Sequence, residues 1–381
     1  MADPERIPFV RPYIAGTEIS LIGEAIKSAA RQGDGPFTKQ CQTWLSQRYG
    51  TSVLLTQSCT SALEMAALLS QLGRGDEVIM PSFTFASTAN AFVLRGATPV
   101  FVDVDPRTQN IDAAAAGAAI GPRTRAIVAM HYGGVGCDMR ALGRIAAAKN
   151  LLLIEDAAQA IQATFDGKLL GSIGQMGALS FHDTKNVSSG EGGALIIAER
   201  SLIERAEIVW EKGTNRLQFH RGTVDQYSWL DVGSSFLPSE ITAAFLLAQL
   251  RGAERITELR LAVWQRFHDA FAQLERAGDV TRPVVPEECK HNGHLYYLIV
   301  DSREMRDKML DWLNRRGVGA VFHYVPLHSS QAGRKFGKTH GQLPNTDRAG
   351  YRLIRLPLWP DMPDAIIDRV IREVKAFFKE A

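Results

Sequence analysis

The sequence predicts an α/β protein: a large domain on a mostly parallel sheet covered by helices, followed by a small C-terminal α+β domain. Three observations predict it. Short apolar runs alternate with helical stretches over the first two thirds of the chain. Those runs lack the polar–apolar alternation of a half-exposed strand, so they read as strands buried on both faces. The texture then changes near residue 250, and 381 residues exceed the ~150 of an average domain. Domains spanning 1–250 and 251–381 are expected.

In chain order, Ile19, Ile22, Ile26 and Ala29 recur at helical spacing after Thr17, a residue type suited to an N-cap. Phe37, Cys41, Trp44 and Leu45 mark a second helix. A strand at 53–55 leads into a helix through Leu63, Ala66, Ala67 and Leu69. Apolar runs follow at 77–80, 99–102, 126–130, 151–154, 178–181 and 194–197. Strands separated by helices imply crossover connections and parallel pairing. A long helical region then covers 238–274, and a charged, proline-containing stretch covers 282–292. Beyond it the pattern predicts a strand at 294–300, a helix at 303–316, a strand at 319–324 and a terminal helix at 364–379.

Composition narrows the function classes. Lys and Arg total 43 against 41 Asp and Glu, a net charge of +2, which gives no footing for a nucleic-acid binder. Charged residues at 22% and hydrophobic residues at 45% support large cores and argue against disorder. No apolar run approaches the ~18 residues a membrane span needs, and Met1-Ala-Asp-Pro-Glu-Arg6 lacks the basic end and apolar block of a signal peptide. Cys41, Cys59, Cys137 and Cys289 stand far apart without metal-ligand spacing. The expectation is a soluble, reduced, cytoplasmic protein without metal, nucleic-acid or membrane partners.

Open parallel sheets place ligands beyond the carboxyl ends of their strands, so the residues after each run matter most. Asp156 ends the run at 151–154 and precedes Gln159. A buried acid there needs a partner, such as the protonated ring nitrogen of pyridoxal phosphate; capping of a following helix is the plainer reading. Lys185 follows Ser180-Phe-His-Asp-Thr and precedes Ser188-Ser-Gly-Glu-Gly-Gly193. It is either a desolvated amine ready for a Schiff base or a solvated loop lysine. The glycines precede a strand, so they are no dinucleotide fingerprint, but they let the backbone approach a ligand. Ser58-Cys-Thr60-Ser61 opens a helix, where amides, hydroxyls and the helix dipole suit a phosphate and where the same residues serve as ordinary caps. Phe85 in Pro81-Ser-Phe-Thr-Phe85 is either a stacking ring or core. A phosphate cradle, a stacking aromatic, an acid and a lysine at successive strand ends together specify pyridoxal phosphate.

These stretches, with Gly33-Asp-Gly-Pro-Phe-Thr38, Glu155-Asp-Ala-Ala-Gln159, Gly190-Glu-Gly-Gly193 and His323-Tyr-Val-Pro-Leu-His328, resemble the nucleotide-sugar aminotransferases, fold type I pyridoxal phosphate enzymes. The resemblance runs over about residues 8–361. It implies that Lys185 binds the cofactor aldehyde as a Schiff base and shuttles the proton, and that Asp156 keeps the pyridinium protonated. It further implies that Gln159 contacts the ring hydroxyl, that Phe85 stacks on the ring, and that Thr60, Ser61 and Ser180 bind the phosphate. Family sites lie at a dimer interface, so a homodimer with shared sites is implied. Ser235 is the candidate phosphate contact from the neighbouring subunit, standing where the family commonly has Asn; Leu237 stands where Arg is common. His323, Tyr324 and His328 would face the sugar nucleotide, with hydrogen-bonded core packing as their other reading.

The implied reaction moves the amino group of L-glutamate to C4 of dTDP-4-dehydro-6-deoxy-D-glucose and releases 2-oxoglutarate. Glu211-Lys-Gly-Thr-Asn-Arg216 and Asp231-Val-Gly-Ser-Ser235 are similar to the branch making the galacto-configured 4-amine for surface polysaccharides. The gluco-configured amine, amination at C3 and a non-catalytic cofactor-binding regulator are the alternatives. A sugar 3-dehydratase of this family carries histidine where Lys185 stands.

Overall fold

The computed structural model of the protein describes residues 6–28 and 32–380. The opening residues 1–5 and Ala29, named above, lie outside the described residues. Helices α1 (Glu18–Lys27) and α2 (Pro36–Tyr49) come first. Strands and helices then alternate as β1 (Ser52–Thr56), α3 (Cys59–Leu69), β2 (Glu77–Pro81), α4 (Ala86–Val93), β3 (Thr98–Val102), α5 (Ala113–Ala118), β4 (Thr124–Met130), α6 (Met139–Lys149) and β5 (Leu152–Asp156). The short strands β6 (Thr164–Phe165) and β7 (Lys168–Leu169) precede the pair β8 (Met176–Ser180) and β9 (Gly193–Ile197). Helices α7 (Ile203–Trp210), α8 (Arg216–His220), α9 (Glu240–Arg251), α10 (Ala253–Ala270) and α11 (Ala272–Ala277) follow. The chain closes with β10 (Cys289–Lys290), β11 (Tyr296–Ile299), α12 (Arg303–Arg315), α13 (Gln331–Phe336), β12 (Lys338–Thr339), α14 (Pro344–Arg352), β13 (Leu353–Leu356) and α15 (Asp364–Glu380).

The main sheet has the order β1-β9-β8-β5-β4-β2-β3-β12 among the described residues. From β8 to β12 every pairing is parallel. β9 is antiparallel to both neighbours, because a loop rather than a crossover helix joins β8 to β9. The continuous apolar runs find cores on both faces. Ile79, Ile127, Leu153 and Leu179 enter the core beneath α1, α2, α6 and α9. Val78, Met80, Val128, Ile154 and Ala178 enter the opposite core under α3, α4 and α7. Successive strand residues point to opposite faces, so a run apolar at every position serves both layers.

A third core joins α10, α12 and α15 to β11 and β13 through Trp264, Phe267, Tyr296, Met309, Ile354, Val374 and Phe377. Helix α10 begins in the sheet's core with Ala253 and Ile256 and ends in this one. A further cluster gathers Phe83, Tyr132, Tyr297 and Leu353 from both parts of the chain. None of the described helices is long and apolar enough to cross a membrane.

Three expectations need correction. In α1 the buried residues are Glu18, Leu21 and Ala25, whereas Ile19 is 87% and Ile26 53% exposed. The helix turns its smaller stripe onto α9, a choice that spacing alone does not record. The segment 319–324 makes only an isolated bridge, Val321 to Arg355. The strand beside β11 is instead β13, in the register Tyr296–Leu356 and Tyr297–Arg355. The helical region 238–274 is broken at Gly252 and Phe271 into α9, α10 and α11.

Candidate active site

A cavity of about 1230 Å³ opens at the carboxyl ends of β5 and β8, walled by the α3 and α4 N-termini, the 321–325 segment and β13. Asp156 closes β5 and is 3% exposed. Its Oδ2 accepts from Thr88 Oγ1 at 2.7 Å and its Oδ1 from the Ala158 amide at 3.1 Å. No described helix follows it directly, so Asp156 is not a helix cap. Glu155, one residue earlier, points the other way and is fully buried. It accepts the amides of Gly171, Ile173 and Gly174 at 2.6–2.7 Å. It also accepts from His131 Nε2 at 2.9 Å, while His131 Nδ1 accepts the Cys137 amide. The Cys137 amide at Nδ1 leaves a His131 proton on Nε2, facing Glu155. Glu155 thus anchors the strand end from which Asp156 reaches the cavity, a bracing role not apparent from its motif.

Lys185 sits in the β8–β9 connection, where its amide donates to His182 O at 2.8 Å. Its neighbour Asn186 pins the loop: Nδ2 donates to Asn292 O at 2.8 Å, and Oδ1 accepts from His294 Nδ1 at 2.9 Å. The Lys185 amine reaches the cavity wall and has no hydrogen-bond or ion-pair partner among the described residues. Burial holds its pKa below the ordinary lysine value and the Arg355 charge adds to this, against Asp156, which pulls it back up.

Helix α3 opens beneath the same cavity. The Ser58 hydroxyl caps it, accepting the Ser61 amide at 3.1 Å, and Thr60 Oγ1 meets Ser87 Oγ of α4 at 2.7 Å. Thr60 and Ser180 line the cavity; Ser61 stands one position behind, its hydroxyl 3.1 Å from that of Ser58. Gly193, which closes the glycine run, has a packing role. A Cβ on Gly193 would lie 2.3 Å from Ser58 C and 2.4 Å from Cys59 N, so glycine lets β9 pass against the entry to α3.

Phe85 is not core: it is 60% exposed at the cavity edge, 6.3 Å from the Tyr324 ring. Gln159 is buried; its Oε1 accepts the Gly133 amide at 2.7 Å and its Nε2 donates to Tyr324 Oη at 2.8 Å. His323 stacks on Tyr324 at 3.7 Å and shares a 2.6 Å hydrogen bond with Tyr132. Burial, with Arg355 and Lys185 nearby, keeps His323 neutral well below the ordinary histidine pKa. His328 is not brought to the cavity wall. Its Nδ1 meets Ser82 Oγ at 2.8 Å and its Nε2 lies 3.5 Å from Asp347. Ser235 is exposed, bridged to Glu211, and outside this cavity.

The sequence reading missed Arg355, which lines the cavity from β13. A lone cation in Leu353-Ile-Arg-Leu356 was the available signal.

An unpartnered amine, a buried carboxylate and a helix N-terminus with hydroxyls, sharing one cavity, fit pyridoxal phosphate: an amine for its aldehyde, an acid for its ring nitrogen, amides for its phosphate. Comparison with known proteins agrees. The profile of the DegT/DnrJ/EryC1/StrS aminotransferase family matches residues 12–375. The spore coat polysaccharide biosynthesis protein SpsC of Bacillus subtilis is 34% identical, with 98% of each chain covered. The aminotransferase TlmJ of Streptoalloteichus hindustanus is 30% identical with a TM-score of 0.90, covering 98% of this chain and 99% of that one. The pyridoxal phosphate form of Spr1654 from Streptococcus pneumoniae is 25% identical with a TM-score of 0.89, covering 98% and 99%.

Proposed function

Since this chain belongs to the DegT/DnrJ/EryC1/StrS aminotransferase family and depends on pyridoxal phosphate, we propose that it moves the amino group of L-glutamate to C4 of dTDP-4-dehydro-6-deoxy-D-glucose. The products are dTDP-4-amino-4,6-dideoxy-D-galactose and 2-oxoglutarate. The observation that carries the transfer chemistry is the unpartnered Lys185 amine in one cavity with the buried Asp156 carboxylate. The sugar and its configuration are supported by the likeness of residues 211–216 and 231–235 to the dTDP-4-amino-4,6-dideoxygalactose transaminase branch. The polysaccharide-biosynthesis name of SpsC supports the same pathway class.

Pyridoxal phosphate supplies an aldehyde for amine exchange and a ring that accepts the electron pair released at the reacting carbon. Lys185 would hold it, and the Lys185 amine would act as the base. A neutral Nζ takes the proton from glutamate Cα in one half-reaction and delivers a proton to sugar C4 in the other. Burial favours that neutral form. Asp156, fixed by Thr88 and the Ala158 amide, keeps the ring nitrogen protonated. Thr60, Ser61 and Ser180 with the α3 N-terminus take the phosphate, and Phe85 stacks on the ring. Gln159 Nε2 has one proton committed to Tyr324, and its second is free for the ring hydroxyl. His323 and Tyr324 face the sugar. His328, held by Ser82, braces the loop behind them.

A homodimer belongs to this proposal, with Ser235 completing the neighbour's phosphate site. Its support is the exposed apolar surface close to Ser235 in sequence: Tyr227, Trp229, Leu230 and Val232 are 53%, 80%, 56% and 52% exposed.

Product identification by NMR tests the reading, using the loaded enzyme, L-glutamate and the ketosugar, with Lys185→Ala alongside. An axial C4 amine absent from the Lys185→Ala reaction is the expected result. An equatorial amine moves the enzyme to the gluco branch, and no turnover of this sugar by the loaded wild type overturns the substrate assignment.

A further inference from the structure

We infer that Arg355 receives a carboxylate of the amino-acid donor. Its guanidinium is half-buried in the wall that also holds Lys185. Its hydrogen bonds are two long ones to Phe322 O, at 3.3 and 3.4 Å, and the Phe9 ring lies 4.7 Å away. No carboxylate pairs with it among the described residues. A half-buried cation without a counter-ion is costly, and guanidinium presents the fork that matches a carboxylate.

The other charges of this wall are spent or peripheral. Arg260 donates to the carbonyls of Gly293, His294 and Leu358. Asp156 is occupied by Thr88 and the Ala158 amide. Glu191 and Lys335 are exposed at the rim. Arg355 is therefore the inner anion receptor that the protein leaves open. Its charge is felt by Lys185, Tyr132 and Tyr324, which places it among the groups around the reacting centre.

Of the two substrates, an amino acid carries its α-carboxylate on the carbon that must lose a proton to Lys185. A sugar nucleotide carries its diphosphate across the sugar ring from C4, far from the carbon at which Lys185 acts. The depth of Arg355 matches the first. The inference rests on an amino acid as donor, which the proposed function names as L-glutamate.

The test is equilibrium binding to the pyridoxal phosphate-loaded enzyme by calorimetry, with glutarate as the amine-free dicarboxylate and dTDP as the diphosphate. In Arg355→Gln, glutarate should bind roughly 10- to 100-fold more weakly, as expected for loss of a charge-assisted hydrogen-bond pair, while dTDP is unchanged. Arg355→Lys, which keeps the charge and loses the fork, should fall between. Weakened dTDP with unchanged glutarate would reassign Arg355 to the diphosphate, and no change in either would make it structural; both overturn the inference. Because neither ligand turns over, failure of the sugar assignment leaves this result standing, and the reverse also holds.

Discussion

Thr88 Oγ1 donates a 2.7 Å hydrogen bond to Oδ2 of Asp156, joining the first helix turn after β2 to the carboxyl end of β5. Thr84 Oγ1 lies 2.8 Å from the same Thr88 hydroxyl, so two hydroxyls in series hold one carboxylate. Thr88→Val keeps the shape and removes the donor. It should cost ~1.5–3 kcal/mol of stability, the range for hydrogen bonds to charged groups, and lower kcat by a few fold. Asp156→Asn, which removes the charge itself, should lower kcat by roughly 10- to 100-fold. Urea unfolding and steady-state rates of the three proteins, side by side, check the ranking; equal losses in both variants would refute it.

Lys185→Ala should abolish measurable transfer, a fall of at least roughly a thousandfold. The cofactor-free variant should nevertheless unfold at a higher temperature than cofactor-free wild type, because a half-buried, unpaired cation is gone. A melt of both apo-proteins reads this directly.

The lowered Lys185 pKa gives a signed pH dependence. Between the folded pKa and the ordinary 10.5, the unfolded chain binds more protons than the folded one. Apo-protein stability therefore gains from this group as pH rises through that window. Lys185→Ala should remove that gain from urea midpoints measured across alkaline pH. Cofactor capture needs the neutral amine, so its rate should rise with pH and level off below 10.5. Arg355→Gln removes a repelling charge and should move that inflection to higher pH.

Gly193→Ala places a methyl against the Ser58–Cys59 peptide, at 2.3 Å from Ser58 C. Backbone cannot yield as a side-chain tip can, so the expected cost is ~1–3 kcal/mol. The displaced α3 entry should also let pyridoxal phosphate dialyse away faster than from wild type. Unchanged cofactor retention in a destabilised variant would separate the packing from the phosphate site.

The chain records its periodicities locally, and that made the sheet legible. Runs such as Ala126–Met130 are apolar at every position because both faces are covered, and neighbouring side chains enter opposite cores. Asp156, Lys185 and the hydroxyls after Ser58 were legible for a related reason: each follows a strand, where an α/β sheet gathers its chemistry. Other features depend on which distant surface arrives. The stripe of α1 that packs was chosen by α9, which covers Leu21 and Ala25 and leaves Ile19 outside. The partner of β11 was settled by pairing with 353–356, since one isolated bridge is all that 319–324 could form. His328 was turned aside by Ser82, 246 positions away in sequence, and Gly193 was needed because α3 starts against it. Arg355 reads as one cation in an apolar strand until tertiary packing brings it to the cavity of Lys185 and leaves it without an acid. Sequence alone determined which segments are buried and which strand ends carry polar side chains. Which side chains meet was decided only by the tertiary structure, because a contact is a property of two surfaces and the local sequence describes one.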